Sequence, residues 1–221
     1  MNHVLILGDS GAIGAALAAE AAARGAQVVG LSRSRDGADV TDEAALAAAL
    51  GRLTGPFDTV IVATGALTIG GQGPEKALRG LDPGVLMRQF ALNAAGPVLV
   101  LKHALRLMPK DRVVRFAALS ARVGSIGDNG LGGWYSYRAA KAALNQMVHT
   151  AAIEVSRSHP QAVVVTMHPG TVETPLTDGY RGNHAAVAPP VAARNILDAL
   201  GGLTPEQTGG FYDQNGLTIP W

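Results

Sequence analysis

A tyrosine and a lysine four positions apart, Tyr137 and Lys141, are the residues of this sequence best suited to acid–base chemistry. They lie at the start of a predicted helix, where residues four apart share one face. A phenol has a pKa of about 10 and is a poor acid–base catalyst at neutral pH, but a nearby ammonium group favours the phenolate. The spacing therefore favours a tyrosine whose pKa is lowered by a lysine. An ordinary pair on a helix surface is the alternative.

Three glycines near the start of the chain form a second candidate site. Gly8, Gly11 and Gly14 follow a short apolar run and open an Ala-rich helical stretch. In a strand–turn–helix unit, free backbone N–H groups and the positive end of the helix dipole face a bound pyrophosphate, and glycine lets the phosphate approach closely. The G-x-x-G-x-x-G spacing predicts dinucleotide binding. A plain tight turn is the alternative.

The residues after the second predicted strand indicate which dinucleotide is bound. Proteins that bind NAD usually carry Asp or Glu there, which binds the ribose 2′-OH. Here Ser32 and Arg33 come first, and no carboxylate occurs before Asp36. Because an arginine can pair with a 2′-phosphate through charge-assisted hydrogen bonds, the sequence favours NADP(H) over NAD(H). A solvated loop with exposed arginines is the alternative.

Short apolar runs alternate with Ala/Leu-rich stretches along the chain, and this alternation positions the candidate residues. Strands are predicted at 3–7, 27–31, 58–63, 112–119, 162–167 and 211–212, and helices at 13–24, 41–53, 83–108 with a bend near Pro97, 135–157 and 190–200. The strands are almost continuously apolar, which is typical of a parallel sheet with helices on both faces. We therefore expect a single α/β domain over residues 1–221, with a Rossmann-type doubly wound parallel sheet. Its ligands should bind at the carboxyl ends of the strands.

The composition excludes several other classes of protein. Of the 221 residues, 48% are hydrophobic and 16% are charged, which excludes a disordered chain. Lys and Arg number 18 against 17 Asp and Glu, without a basic tract, so nucleic acid is not an expected partner. There is no cysteine, the six histidines have no metal-ligand spacing, and no apolar run has the length of a membrane span. We expect a cytoplasmic protein that binds no metal.

Several short motifs together resemble the short-chain dehydrogenase/reductase family. In chain order they are the Gly8/Gly11/Gly14 turn, Asp39-Val40, Ala63-Thr64-Gly65, Asn93, the Y-x-x-x-K pattern of Tyr137 and Lys141, and Pro169-Gly170. The resemblance covers almost the whole chain. Within the family, residues 120–145 and 211–221 resemble the C-factor-like group.

The resemblance implies a role for each motif. Tyr137 would be the general acid–base group, Lys141 would also bind the nicotinamide ribose, and Asn93 would anchor a water molecule in the proton relay. The positions assigned to the cofactor are Gly8, Asp9, Ser10, Gly11, Ile13, Gly14, Ser32, Arg33, Asp39, Val40, Ala63, Thr64, Gly65, Asn93, Tyr137, Lys141, Pro169, Gly170, Val172 and Thr174. The helices around Asn93 and Tyr137 resemble the usual subunit interface of the family, which implies a homodimer or homotetramer.

The sequence departs from the family pattern at one catalytic position. The serine that normally hydrogen-bonds the substrate oxygen aligns with Ala121, whereas serines occur nearby at Ser120 and Ser125. Either hydroxyl is a candidate replacement, with Ser120 slightly favoured. Complete loss of such a donor costs about 10²–10³ in rate, so reduced activity is one expected outcome.

Two functions follow from these observations. The first is an NADP(H)-dependent oxidoreductase that transfers a hydride between the nicotinamide and a small carbonyl compound or secondary alcohol. The second is an NADP(H)-binding sensor or signalling protein with weak or no catalysis. Ala121 and the resemblance to the C-factor-like group motivate this second hypothesis.

Overall fold

The apolar runs form a six-stranded sheet in the computed structural model, which describes residues 1–175, 180 and 185–221. The strands are β1 (His3–Leu7), β2 (Gln27–Leu31), β3 (Thr59–Val62), β4 (Val114–Leu119), β5 (Ala162–His168) and β6 (Phe211–Asp213). Their order in the sheet is β2-β1-β3-β4-β5-β6, and every neighbouring pair is parallel. The chain changes direction across the sheet between β1 and β3, and such a switch point is where open α/β sheets bind ligands.

Helices cover both faces of this sheet. They are α1 (Ala12–Ala23), α2 (Arg33–Asp36), α3 (Glu43–Gly51), α4 (Pro83–Phe90), α5 (Gly96–Ala104), α6 (Tyr135–Val155) and α7 (Pro189–Gly202). In β1, Leu5 and Leu7 belong to the core formed with α3, α5 and α6, whereas Val4 and Ile6 belong to the core formed with α1 and α7. Alternate strand residues point to opposite faces, so a sheet buried on both faces requires a continuous apolar run. The predicted doubly wound fold is confirmed.

The helix predicted over 83–108 is interrupted close to the predicted bend. Ala91–Ala95 forms a π-helical turn between α4 and α5, and Gly96 follows it directly. A Cβ on Gly96 would collide with the side chain of Val40, so glycine permits this close approach. Asn93 lies in the π-turn and is fully buried. Single π-turns inside helices are frequent at functional sites.

The same helical stretch is long and apolar enough to cross a membrane. Pro83–Leu107 spans 25 residues, with a mean hydropathy of 1.3 in its most apolar window. Of that window, 44% is buried inside the fold, and Val100 and Leu101 are part of the hydrophobic core. A helix in the core of a protein can be as long and as apolar as a membrane span, and this stretch packs into the core in the same way.

Beyond the interrupted helix and shifts of one or two residues at the ends of other elements, two local details differ from the sequence prediction. The helix predicted from residue 41 begins later, because Asp42 caps α3 by accepting a hydrogen bond from a backbone N–H three residues on. A short helix, α2, occupies the residues after β2, for which no helix was predicted. Ser32 caps it by accepting a hydrogen bond from the Arg35 N–H, and serine is a favoured N-cap.

Candidate active site

The turn after β1 has the backbone geometry that a pyrophosphate needs. Gly8 has a φ of +90°, a left-handed conformation that favours glycine. A Cβ on Gly14 would overlap the Gly8 carbonyl oxygen, so the turn closes only around glycine. Gly11 is the N-cap of α1, which has no side-chain cap and no acidic residue in its first turn. Side chains therefore leave the first N–H groups of α1 uncapped, and these groups suit a diphosphate.

Arg35, two residues after Arg33, contacts the glycine turn, whereas pairing of Arg33 with a 2′-phosphate stays a prediction. The Arg35 guanidinium donates to both carboxylate oxygens of Asp9, at 2.9 and 3.1 Å, and to the Gly30 carbonyl oxygen at 2.8 Å. The Asp9 carboxylate lies directly over Gly30, where a Cβ would overlap it, so this contact requires glycine. Arg33 is exposed on the same short helix. The crevice expected at the switch point between β1 and β3 therefore carries a guanidinium held by hydrogen bonds, which the sequence analysis did not single out.

Asp39 and Val40, predicted to contact the adenine ring, have structural roles of their own. The Asp39 carboxylate accepts hydrogen bonds from the Thr41 hydroxyl at 2.7 Å and from the Thr41 N–H at 2.9 Å. These bonds, with the nearby charge of Arg33, hold the pKa of Asp39 below its usual range. Val40 is buried and packs against Gly96. Asp39 therefore stabilises its own loop, and the contact with adenine stays a prediction.

The loop after β3 brings predicted residues together at the switch point. The Thr64 hydroxyl is buried and has no hydrogen-bond partner among the described residues. A Cβ on Gly65 would stand 2.9 Å from Asn93 Oδ1 and 3.7 Å from Lys141 Nζ, so only glycine lets the loop lie this close to both side chains. Buried polar atoms normally have a partner, so the unpaired Thr64 hydroxyl fits a bound polar ligand. The predicted site at the carboxyl end of β3 thus brings polar groups together beside the backbone.

Asn93 is fixed in the π-turn by hydrogen bonds. Its Nδ2 donates to the Ala66 carbonyl oxygen at 2.9 Å and to Gln89 Oε1 at 2.5 Å, and its Oδ1 accepts from the Ala66 N–H at 3.2 Å. An amide oxygen has two lone pairs, so Oδ1 retains acceptor capacity. Asn93 therefore holds the loop after β3 against the π-turn, and its amide oxygen is compatible with the predicted relay water.

Tyr137 and Lys141 are both buried, one helical turn apart near the start of α6. Their exposed fractions are 7% and 2%. Lys141 Nζ lies 5.8 Å from the centroid of the Tyr137 ring and donates a hydrogen bond of 2.8 Å to the Leu119 carbonyl oxygen at the end of β4. Gly124 packs so closely on Lys141 that a Cβ there would stand 2.9 Å from it. The pair thus lies together at the carboxyl end of β4.

Burial controls the ionisation of this pair. It raises the pKa of the Tyr137 phenol above its ordinary value, because desolvation disfavours the phenolate. The same desolvation lowers the pKa of Lys141 to about 7. The expectation of a lowered tyrosine pKa is therefore wrong for this arrangement, since the loss of water around the phenol acts in the opposite direction. At neutral pH Tyr137 carries its proton, as a general acid must.

Both candidate serines have hydrogen-bond partners of their own. The Ser120 hydroxyl is buried and donates to Asn145 Oδ1 at 2.7 Å, on α6. The Ser125 hydroxyl accepts a hydrogen bond of 3.1 Å from the Asp128 N–H, which stabilises the turn after β4. Ala121, predicted to align with the usual serine, is half-buried. Ser120 therefore already uses its hydroxyl proton, whereas Ser125 accepts through its oxygen and retains its proton, and the catalytic role of both stays a prediction.

The loop after β5 is closed by backbone contacts at its base. Gly170 has a φ of +80°. Val172 forms a parallel bridge with Val187, whose N–H donates to the Thr171 carbonyl oxygen at 3.0 Å. Val172 and Thr174, predicted to hold the nicotinamide, are 1% and 9% exposed. The structure therefore places both residues inside this loop, and their contact with a nicotinamide stays a prediction.

The sequence analysis missed two buried side chains beside this site. Glu75, in the loop after β3, bonds Ser136 at the start of α6, and Asn145 bonds Ser120. These partners are 61 and 25 residues apart, so no local spacing could show the contacts. The available signal for Glu75 was an isolated acidic residue in a Gly-rich loop.

Comparison with known proteins places these features in one family. The sequence profile of the family described as enoyl-(acyl carrier protein) reductase matches residues 8–211, nearly the whole chain. The C-signal protein of Myxococcus xanthus is 34% identical over 169 residues, covering 76% of this chain and 95% of that protein. The chain belongs to the short-chain dehydrogenase/reductase family. The resemblance inferred from the motifs, including its C-factor-like part, is confirmed.

Further members of the short-chain dehydrogenase/reductase family are similar along most of their length. The 1-hydroxy-2-glutathionyl-2-methyl-3-butene dehydrogenase of Rhodococcus sp. (strain AD45) is 32% identical over 188 residues, covering 84% of this chain and 79% of that protein. The crystal structure of a short-chain dehydrogenase/reductase from Burkholderia multivorans with bound NADP is similar at a TM-score of 0.81 and 26% identity, covering 100% of this chain and 99% of that chain. The protein is therefore an NAD(P)-dependent oxidoreductase.

Proposed function

We propose that this enzyme uses NADP(H) to interconvert small carbonyl compounds and secondary alcohols. The observation that carries the proposal is the position of Asn93 and Lys141 close to the backbone of Gly65, with Tyr137 packed against the lysine. A proton donor, a cation and an amide oxygen then meet at the carboxyl ends of β3 and β4. Carbonyl reduction needs a donor of this kind, because the carbonyl oxygen must gain a proton while the carbon gains a hydride.

The residues of the crevice fit a phosphorylated dinucleotide. The turn around Gly8 and the uncapped start of α1 would hold the diphosphate, and the unpaired Thr64 hydroxyl would bond the sugar or phosphate groups. Arg33 and Arg35 would face the 2′-phosphate, which favours NADP(H) over NAD(H). When bound, the cofactor supplies or accepts the hydride. The NADP found in the Burkholderia multivorans relative supports this assignment.

The proton comes from Tyr137. Its phenol is neutral at physiological pH, so in the reductive direction the hydroxyl proton passes to the substrate oxygen. The phenolate that remains is buried and needs a nearby positive charge, which Lys141 supplies when it is protonated. Asn93 Oδ1 would hold the water that returns a proton from solvent. Because Ala121 has no hydroxyl, the substrate oxygen relies mainly on Tyr137, with Ser120 and Ser125 as the candidates for a second donor.

Aromatic residues beside Tyr137 favour an apolar substrate. The Trp134 ring lies 6.2 Å from the Tyr137 ring and 5.7 Å from the Tyr180 ring, in edge-to-face contacts. Rings in such contacts bury much apolar area and offer flat faces to a ligand. We therefore propose that Trp134 and Tyr180 form one wall of the substrate pocket, and that flat or aliphatic carbonyl compounds are preferred to charged ones.

Tyr137→Phe tests this function. The variant should bind NADPH with unchanged affinity, measured by fluorescence titration, because the ring packing is retained. Its kcat for reduction of a panel of aldehydes and ketones should fall by about 10²–10⁴-fold, the usual contribution of a general acid. Normal turnover in this variant would show that the mechanism is wrong.

A second function, an NADP(H)-binding sensor with weak or no catalysis, is favoured by two observations. Ala121 removes a usual hydroxyl, and Ser120 already donates its hydrogen bond to Asn145. The similarity to the protein named C-signal points the same way, though weakly. Tight NADPH binding by the wild-type protein without turnover on a broad panel of carbonyl compounds and alcohols would support the sensor.

Assembly and location stay predictions. Apolar side chains are exposed on α4 and α6, with Met87 at 66%, Met147 at 38% and Ile153 at 52% exposure. Large apolar groups left on helix surfaces suit a subunit interface, so we propose a homodimer or homotetramer. The cytoplasm is the proposed location, and a small carbonyl compound or alcohol is the proposed partner.

A further inference from the structure

We infer that Glu75 is a positioning residue for the proton transfer, which fixes the start of α6 and thereby sets Tyr137 and Trp134 against the substrate. The carboxylate comes from the loop after β3, far along the chain from α6, and is 8% exposed. Its kinetic consequence rests on the proposed function. Its structural consequence, the fixed position of the Trp134 ring, can be measured without a substrate.

Glu75 binds the two residues that flank the first residue of α6. Its Oε2 accepts a hydrogen bond of 3.1 Å from the Ser136 N–H, and its Oε1 accepts one from the Ser136 hydroxyl. Its backbone carbonyl accepts from the Trp134 N–H at 2.5 Å. Ser136 directly precedes Tyr137, so the three hydrogen bonds fix the backbone on which the phenol is mounted.

The start of α6 needs this external partner. The N-cap residue of α6 is Trp134, which offers no side-chain cap to the helix. Helix N-termini leave backbone N–H groups unsatisfied, and a carboxylate there is favoured by both hydrogen bonding and the helix dipole. Glu75 therefore performs for α6 the task that Asp42 performs for α3, but from a distant loop and beside the active site.

The backbone of Trp134 shows that the arrangement is imposed on the chain. Trp134 has a φ of +53°, and no other non-glycine residue in the described part of the chain has a positive φ. Residues in this conformation persist only where the surroundings determine it, and they concentrate at functional sites. Here the surroundings are the Glu75 carbonyl and the rings of Tyr137 and Tyr180. The left-handed residue brings the indole beside the phenol.

The kinetic test compares Glu75→Ala and Glu75→Gln with Asp42→Ala. Misplacing a reacting group by about 1 Å costs about 10²-fold, so Glu75→Ala should lower kcat by about 10–10²-fold and leave the Kd for NADPH within about two-fold. Glu75→Gln should recover most of the kcat, because an amide oxygen can accept the Ser136 N–H and its NH₂ can donate to the hydroxyl. Asp42→Ala removes a matched cap from α3, a helix that carries none of the proposed catalytic residues, and should keep the wild-type kcat.

Three kinetic outcomes would overturn the inference. They are a wild-type kcat in Glu75→Ala, a kcat in Glu75→Gln as low as in Glu75→Ala, and an equal loss in Asp42→Ala. The second would mean that the charge matters and the hydrogen-bond geometry does not. The third would mean that any lost helix cap has the same effect, so that Glu75 is only structural.

Tryptophan fluorescence tests the position of Trp134 without any substrate. In a Trp221→Phe background the single remaining indole is Trp134, because the chain has two tryptophans. Glu75→Ala should then shift the emission to longer wavelength and lower its anisotropy, whereas Glu75→Gln should not. Unchanged emission in Glu75→Ala would overturn the inference even if kcat fell. If the wild-type protein turned over no substrate, the proposed function would fail, and this measurement would still decide the position of Trp134.

Discussion

The two sides of the crevice are held in place by different means. On the cofactor side, the turn between β1 and α1 depends on the backbone, since Gly8 and Gly14 allow an approach that a Cβ would prevent. On the substrate side, the start of α6 depends on side chains from distant parts of the chain, as Glu75 on Ser136 shows. A cradle made of backbone tolerates many neighbouring substitutions, whereas a contact between two side chains is lost with either one. The substrate side is therefore where members of such a family can diverge.

Lys141 lies between the two sides, and its burial predicts the largest effect. Its pKa is about 7 in the fold, compared with about 10.4 for an unperturbed lysine. The unfolded chain then binds more protons between these values, so stability rises with pH across the window and is lost as pH falls from about 10 to about 7. Lys141→Met removes this dependence. The free energy of unfolding of the wild-type protein should therefore rise by about 3–4 kcal/mol relative to that of Lys141→Met between about pH 6 and about pH 10.

Urea unfolding of both proteins across that range measures this change. The absolute difference at one pH also contains the lost hydrogen bond to Leu119, so only its pH dependence is diagnostic. Lys110→Met, at an exposed lysine, serves as the control and should show no such trend. A constant difference between Lys141→Met and wild type would mean that Lys141 keeps an ordinary lysine pKa and that the substrate side is better hydrated than the fold indicates.

The contrast between the two sides also explains what the sequence could predict. The strand ends and the glycine turn were predictable, because continuous apolar runs and glycine spacing report local backbone requirements. The π-turn at Asn93 was not, because it is held by hydrogen bonds to Ala66 and so depends on a loop 27 residues earlier. The ionisation of Tyr137 was predicted with the wrong sign, since spacing shows the nearby lysine but not the loss of water around both groups.

A second prediction concerns the hydroxyl that the substrate side lacks. Ala121→Ser adds a hydroxyl at the position predicted to align with the usual serine of the family, on a half-buried residue with Ser120 already committed to Asn145. One added donor for the substrate oxygen should raise kcat by about 10–10²-fold, with the Kd for NADPH unchanged. Steady-state kinetics on the best carbonyl substrate measure the effect. The matched variant is Ser120→Ala: if it abolishes turnover while Ala121→Ser changes nothing, Ser120 is the donor and this prediction is wrong.

The smallest effect is expected on the cofactor side, where side chains only refine a backbone cradle. Arg33→Ala should weaken NADPH binding by about ten-fold, or about 1.4 kcal/mol, and leave NADH binding unchanged, because an exposed arginine contributes modestly.

Arg35→Ala should weaken NADPH binding too, but should also strengthen NADH binding. It leaves the Asp9 carboxylate without its guanidinium partner, and an unpaired carboxylate there repels a 2′-phosphate and can accept a ribose hydroxyl. Fluorescence titration with each nucleotide separates the two arginines. Adding Asp9→Ser to Arg35→Ala should remove the gain for NADH, and a gain that persisted would mean that Asp9 does not face the ribose.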